Sequence, residues 1–208
     1  MKLLKSAVII GVLSYIIYLL QPTSYPITNR IPDGETIVAF GDSLTFGTGA
    51  SAADSYPQQL SRLIGEEIIN LGVPGDTTAD ALARIDTVIE KNPRIVLLTI
   101  GGNDLKNGIN KDSAFANIRK IIEQLQASGA MVIIGGIDIP VLDRGFNDEY
   151  KSLAKETRSV LLPNVLKGIM GNRKLMSDSI HPNAAGYKIM AERFHEIMKP
   201  FLINFELS

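Results

Sequence analysis

Two kinds of apolar pattern alternate along the chain. Short continuous runs recur at 35–40 (ETIVAF), 67–72 (EIINLG), 94–100 (RIVLLTI) and 130–134 (AMVII), with a weaker one at 160–162 (VLL). Continuous rather than alternating hydrophobicity marks strands covered on both faces, as in a parallel sheet. Stretches with helical spacing lie between them. Leu82, Ile85, Val88 and Ile89 share one face behind Asp76-Thr77-Thr78, which supplies a cap. Ile118, Ile121, Ile122 and Leu125 repeat that spacing before Gly129, and 184–198 reads as a last helix after His181-Pro182-Asn183. Strand and helix in this alternation predict an α/β sandwich with right-handed crossovers. In such sheets a ligand is received outside the carboxyl ends of the strands. No internal repeat and no low-complexity tract interrupts the pattern.

The first residues follow a different rule. Lys2 and Lys5 precede an uncharged run from Ser6 to Leu20. A basic start and an apolar stretch of this length describe an export segment. Counted from Leu3, with Lys5 snorkelling to the interface, the run is just long enough to span a bilayer. Gln21-Pro22-Thr23-Ser24 makes a poor cleavage site, so residues 1–21 read as an uncleaved anchor. A cleaved signal is the alternative, and an ordinary buried helix the third reading. The two lysines keep the N-terminus in the cytoplasm and place the domain outside, in contact with the membrane through this segment. Pro22, Pro26, Pro32 and Gly34 mark 22–34 as a linker, leaving 35–204 as one domain.

Composition narrows the chemistry. A chain of 208 residues suits one domain rather than two. Its 21 basic and 22 acidic residues give a net charge of -1, which argues against a nucleic-acid partner. With 45% hydrophobic and 21% charged residues the chain can bury an ordinary core. The absence of cysteine removes disulfides, a thiolate nucleophile and a zinc-thiolate cluster. Only His181 and His195 are available to any mechanism that needs an imidazole.

The polar residues gather at strand ends. Gly41-Asp42-Ser43-Leu44-Thr45 follows the first run, Val73-Pro74-Gly75-Asp76-Thr77 the second, and Gly101-Gly102-Asn103-Asp104 the third. Each cluster alone reads as a turn or a helix cap. Three at one sheet edge point to a site. Asp178-Ser179-Ile180-His181 adds a carboxylate and an imidazole three residues apart, close enough for Asp178 to accept the Nδ1 proton and orient the ring. Pro182 biases His181 toward extended backbone. His195, between Glu192, Arg193 and Glu196, reads as an exposed helical residue, which leaves His181 as the general base. Asp42 and Asp104 read as structural acceptors for backbone N–H groups, and Thr45 as the start of a helix. One histidine and scattered carboxylates are an incomplete zinc shell, and Gly47-Thr48-Gly49 lacks the third glycine of a dinucleotide fingerprint. No cofactor and no metal is expected.

These blocks, in this order, resemble those of the GDSL, or SGNH, hydrolases. The resemblance covers roughly 35–200, and Val73-Pro74-Gly75-Asp76-Thr77-Thr78 is most similar to the bacterial arylesterase/thioesterase/lysophospholipase subgroup. It implies a three-layer α/β/α sandwich with a parallel, flavodoxin-like sheet. It also implies Ser43 as nucleophile, His181 as base and Asp178 as its orienter. The oxyanion donors it implies are the Ser43 and Gly75 backbone N–H groups and the Asn103 side-chain amide. A serine hydroxyl attacks well only as a base removes its proton, and an imidazole does this near neutral pH. Donors fixed in advance around the nascent oxyanion are worth roughly 3–4 kcal/mol each. The absence of any Gly-x-Ser-x-Gly disfavours the nucleophile-elbow hydrolases.

The expected reaction is hydrolysis of carboxylic esters through an acyl-enzyme, the substrate being a small-molecule or lipid acyl ester, with lysophospholipid and thioester within the class. The loop from Ile139 to Asn147, with Pro140, Val141, Leu142 and Phe146, offers an apolar acyl wall. A carbohydrate O-acetylesterase acting on envelope polysaccharide is the alternative. A non-catalytic binding module is a distant third, since Ser43, Asn103, Asp178 and His181 are all present. Oligomeric state is not legible in the chain.

Overall fold

A computed structural model describes residues 25–139 and 145–202. Five strands, β1 (Thr36–Gly41), β2 (Ile68–Gly72), β3 (Pro93–Thr99), β4 (Met131–Gly135) and β5 (Val160–Leu162), form one sheet in the order β2-β1-β3-β4-β5. Every pairing is parallel. This is the flavodoxin-type strand order, and its topological switch lies between β1 and β3. The fold is the expected α/β/α sandwich, with each strand within a residue or two of its apolar run. All of β3 and β4 is buried, because helices cover both faces.

The helices are α1 (Ser43–Phe46), α2 (Tyr56–Ile64), α3 (Thr78–Ala83), α4 (Asp86–Ile89), α5 (Gly102–Asn107), α6 (Lys111–Ala127), α7 (Phe146–Thr157) and α8 (Ala184–Leu202). α2 packs against α8, and α6 packs against both α3 and α7. Tyr56 of α2 stacks on Phe194 of α8 with ring centroids 5.0 Å apart. Phe115 of α6 meets Phe146 and Tyr150 of α7 edge-on, at 5.2 and 4.9 Å. α8 is capped by Asn183, whose Oδ1 accepts from the backbone N–H of Ala185 at 3.0 Å and of Gly186 at 3.2 Å.

Three expectations change. The helix expected through Leu82, Ile85, Val88 and Ile89 is two short pieces, α3 and α4, broken at Arg84. Thr77 caps the first in a capping box with Asp80. Phe146 is not part of an acyl wall. It begins α7 and is buried against Phe115, because an aromatic side chain buries more apolar area there than at a loop. Pro140, Val141 and Leu142 of the same expected wall lie outside the described residues.

The linker expected over 22–34 is, from Tyr25 onward, a strap on the domain. Tyr25 Oη donates to the Ser159 carbonyl at 3.0 Å, the Thr28 N–H donates to the Arg158 carbonyl at 2.9 Å, and Ile27 is buried in the core. Asn29 donates from Nδ2 to the carbonyls of Gln126 (2.8 Å) and Ala130 (3.0 Å). The prolines punctuate this segment without freeing it. The expected anchor, 1–21, lies outside the described residues. Among the described residues no helix is long and apolar enough to cross a membrane.

The strap supplies a stability test. Asn29→Ala removes both bonds to the α6–β4 connection and places alanine at a φ of 51°, a left-handed angle asparagine tolerates better. The expected cost is about 2 kcal/mol, read as a lowered urea midpoint.

Candidate active site

Gly41 ends β1 and pairs with Gly72 of β2 on one side and Thr99 of β3 on the other. The three expected polar clusters therefore leave neighbouring strands at one edge of the sheet. Asp42 turns the chain at once: its Oδ1 accepts the Leu44 N–H at 2.9 Å and caps α1, so Ser43 opens the helix at the rim. Thr45 lies inside α1, buried, with its hydroxyl 3.4 Å from that of Tyr56.

The fourth cluster arrives from the far end of the chain. His181 Nε2 lies 3.1 Å from Ser43 Oγ, and His181 Nδ1 lies 2.7 Å from Asp178 Oδ2. Asp178 Oδ1 accepts the backbone N–H groups of Ile180 (2.8 Å) and His181 (2.7 Å). One carboxylate thus fixes both the ring and the backbone that carries it. The hydrogen bond from His181, with those from the two backbone N–H groups, holds the Asp178 carboxyl down at about 2. Only 15% of the His181 side chain is exposed, against 51% of the Asp178 side chain. The ring sits between cavity and solvent, and its carboxylate stays wet.

The His181 turn is held from behind. The Ser177 N–H donates to the His181 carbonyl at 2.9 Å, and Tyr187 Oη donates to the Thr48 carbonyl at 2.7 Å. Gly49, at φ +97°, passes so close that a Cβ there would lie 2.6 Å from the Pro182 carbonyl oxygen and 3.2 Å from His181 Cβ. Only glycine allows this approach.

On the other side of Ser43, Asn103 is the second residue of α5 and donates from Nδ2 to the Asp76 carbonyl at 2.9 Å. That bond ties Asn103 to the loop that carries Gly75. Gly75 has φ +92° and open space where a Cβ would project, so backbone conformation calls for glycine here. The second N–H of the Asn103 amide remains for a ligand. Asp104 turns inward and accepts from the backbone N–H of Thr78 (2.9 Å) and from its hydroxyl (2.7 Å), a structural role.

Ser43, Asn103 and His181 face one cavity of about 70 Å³ whose walls are mainly apolar (Leu44, Ile137, Ile139, Leu166, Met170 and Ile180), with Lys106 and Asp42 also lining it. Ile137, Leu166 and Met170 had no motif to announce them. His195 is half-buried on α8 and is not among the residues lining the cavity. Among the described residues no group of His, Cys, Asp or Glu is arranged to hold a metal. The arrangement provides a hydroxyl, an imidazole bonded to it, a carboxylate behind the imidazole and the Asn103 amide on the same cavity, a set that suits acyl transfer.

Asp42 is the buried charge of the site. Burial pushes its carboxyl up from 3.8 to about 7, with the charges of Asp76 and Asp104 adding to the shift. Folded protein therefore holds a proton that the unfolded chain gives up near pH 4. This contribution to stability is complete below that pH and is lost as pH rises through about 7. Asp42→Asn keeps an acceptor for the Leu44 N–H and removes the titration. Between about pH 5 and 8 the wild-type Tm should fall by several degrees more than that of Asp42→Asn.

Comparison with known proteins agrees with this chemistry. Residues 39–189 match the model of the GDSL-like Lipase/Acylhydrolase family. Esterase TesA of Pseudomonas aeruginosa is 27% identical over 180 residues, covering 81% of this chain and 90% of the relative. The Escherichia coli K12 thioesterase 1/protease 1/lysophospholipase L1 is 28% identical over 187 residues, covering 86% of this chain and 89% of the relative. A crystal structure of TesA superposes with a TM-score of 0.76 at 26% identity, covering 80% of this chain and 99% of that one. With a parallel sheet in flavodoxin order, a serine at the end of its first strand and a family match across most of the domain, this chain belongs to the GDSL-like lipase/acylhydrolase family and is a carboxylic ester hydrolase.

Proposed function

We propose that Ser43 is the nucleophile, His181 the general base and acid, and Asp178 the residue that orients and stabilises the imidazolium. The observation that carries this reading is the unbroken chain Ser43 Oγ to His181 Nε2 at 3.1 Å and His181 Nδ1 to Asp178 Oδ2 at 2.7 Å, opening on an apolar cavity. Ser43 attacks the acyl carbon as its proton passes to Nε2. The Ser43 and Gly75 N–H groups and the Asn103 amide receive the oxyanion. His181 returns the proton to the leaving alkoxide, and water repeats the sequence on the acyl-serine, releasing a carboxylic acid.

The cavity argues for the kind of acyl group. Its walls are mainly apolar, with Lys106 and Asp42 also on the lining, and its volume is only about 70 Å³. It suits a short acyl chain and leaves the alcohol part in the open rim. Short acyl esters are therefore the proposed substrates. An acetyl group on a carbohydrate fits the same volume, and a substrate panel separates the two. The uncharged run Ser6–Leu20 behind Lys2 and Lys5 supports an outward-facing enzyme tethered at the envelope.

Ser43→Ala should lose at least a thousand-fold in ester hydrolysis with an unchanged unfolding midpoint, and a fluorophosphonate should label Ser43 and no other serine. His195→Ala should be nearly silent. Persistent turnover by Ser43→Ala refutes the mechanism. On a panel of p-nitrophenyl esters, kcat/KM should peak at acetyl to hexanoyl and decline toward decanoyl. A peak at decanoyl rejects the short-chain assignment, and selective release of acetate from acetylated oligosaccharide moves the substrate to the carbohydrate class.

A further inference from the structure

Arg84 follows the last residue of α3 and points back to the strand ends. Its guanidinium makes three bonds there. Nε donates to Asp76 Oδ2 at 2.6 Å, Nη1 to the Leu71 carbonyl at 3.0 Å, and Nη2 to the Gly41 carbonyl at 2.9 Å. The same group lies over the Phe40 ring, 4.4 Å from its centroid. The side chain is mostly enclosed, with 21% exposed. A rigid planar fork can serve three acceptors in this way, whereas an ammonium on a flexible stem cannot hold the same geometry.

What Arg84 holds is more telling than how many bonds it makes. Gly41 lies two residues before Ser43. Leu71 lies next to the end of β2, whose continuation carries Gly75. Asp76 adjoins Gly75, and its carbonyl accepts the Asn103 amide at 2.9 Å. The Gly41 carbonyl also accepts the Val73 N–H at 3.0 Å, which fixes the start of the same loop. Each of the three donors assigned to the oxyanion is thus two or three covalent or hydrogen-bonded steps from one guanidinium.

We infer that Arg84 is a positioning residue for the oxyanion hole, resting on the mechanism proposed above: it sets the spacing of the Ser43 N–H, the Gly75 N–H and the Asn103 amide without touching substrate. An oxyanion hole is worth its full effect only when its donors are fixed before charge develops. Loosening them weakens the transition state and leaves ground-state binding in the apolar cavity largely unchanged. The position of Arg84 also accounts for the break between α3 and α4. Its side chain is committed to the sheet edge where a continuous helix would carry on.

The test compares Arg84→Lys and Arg84→Ala with wild type, on p-nitrophenyl butyrate and on a trifluoromethyl ketone that forms a tetrahedral adduct with the active serine. The expected result is a kcat lower by about 10-fold for Lys and about 100-fold for Ala, with KM within about two-fold. The ketone's Ki should rise by the same factors as kcat/KM falls, and millimolar guanidinium should restore part of the activity of Arg84→Ala. A merely structural arginine would lower the unfolding midpoint without this proportionality. If Arg84→Ala does not fold, Arg84→Lys, which keeps a charge beside Asp76, carries the measurement. Unchanged kcat, a loss confined to KM, or a ketone Ki that stays constant while kcat falls would each overturn the proposal. In those cases an inactive Ser43→Ala leaves the underlying mechanism standing, whereas an active Ser43→Ala removes both.

Discussion

Ser43 and His181 are 138 residues apart in the chain and meet at 3.1 Å. The site depends on that meeting, and one bond of this kind cannot enforce it alone, since a hydrogen bond nets only about 1 kcal/mol. The distance is set by packing. Ser43 is fixed by the end of β1, whose residues are buried between two other strands. His181 is fixed by a tight turn bridged between Met176 and Pro182 and closed by the cap of α8. The seam between these two bodies is the segment Gly47–Ala50. Thr48 donates its N–H to the Ser43 carbonyl on one side and accepts from Tyr187 on the other, while Gly49 lies against Pro182. The His181 imidazole therefore inherits its position from the α2–α8 side of the sandwich, and Gly75 and Asn103 inherit theirs from the α3–α6 side. Ser43 lies where the two sides meet.

Much of this was legible in the chain because its signals are local. Five apolar runs became five strands, since residues buried on both faces leave no room for polar alternation. The Gly-Asp-Ser-Leu, Gly-Gly-Asn-Asp and Asp-x-x-His blocks lie where strand ends and a helix start must put them. What the pattern did not reveal depends on tertiary contact. Tyr25, Ile27 and Asn29 look like linker between prolines, and only the groove beside Gln126, Ala130 and Ser159 makes them a strap. Phe146 looked like a loop residue until α7 placed it against Phe115. Arg84 carries no signal in the sequence, because its three acceptors come from segments as much as 43 residues away. The apolar wall of Ile137, Leu166 and Met170 has no spacing in common and exists only as a surface.

Two carboxylates close to Ser43 show how environment divides labour between identical groups. Asp178 is half exposed, accepts three hydrogen bonds and is held at about 2, so it is ionised at every pH at which the protein would work. In the proposed mechanism that charge is useful, because it lies on the far side of the imidazole and stabilises the ring as it gains a proton. Asp42 is buried beside Ser43 in the chain and is pushed up to about 7. A full negative charge there would oppose a developing oxyanion, and little solvent lies between to screen it. Burial answers this by favouring the protonated carboxyl below about pH 7. The carboxyl can still accept the Leu44 N–H that starts α1.

The remaining acids near the rim have partners of their own. Asp76 is paired with Arg84 at 2.6 Å, and burial raises the Asp104 carboxyl while it accepts from the backbone and hydroxyl of Thr78. A chain with net charge -1 thus concentrates three aspartates around the strand ends that carry Ser43 and Asn103. Replacing any of them by a small apolar residue would relieve charge but abandon a backbone N–H or a side chain that the rim needs held. Each aspartate is kept as a hydrogen-bond acceptor, with its charge suppressed by burial or by a partner. That combination lets the carboxyl edge of a parallel sheet carry tight polar turns and still stabilise an anion.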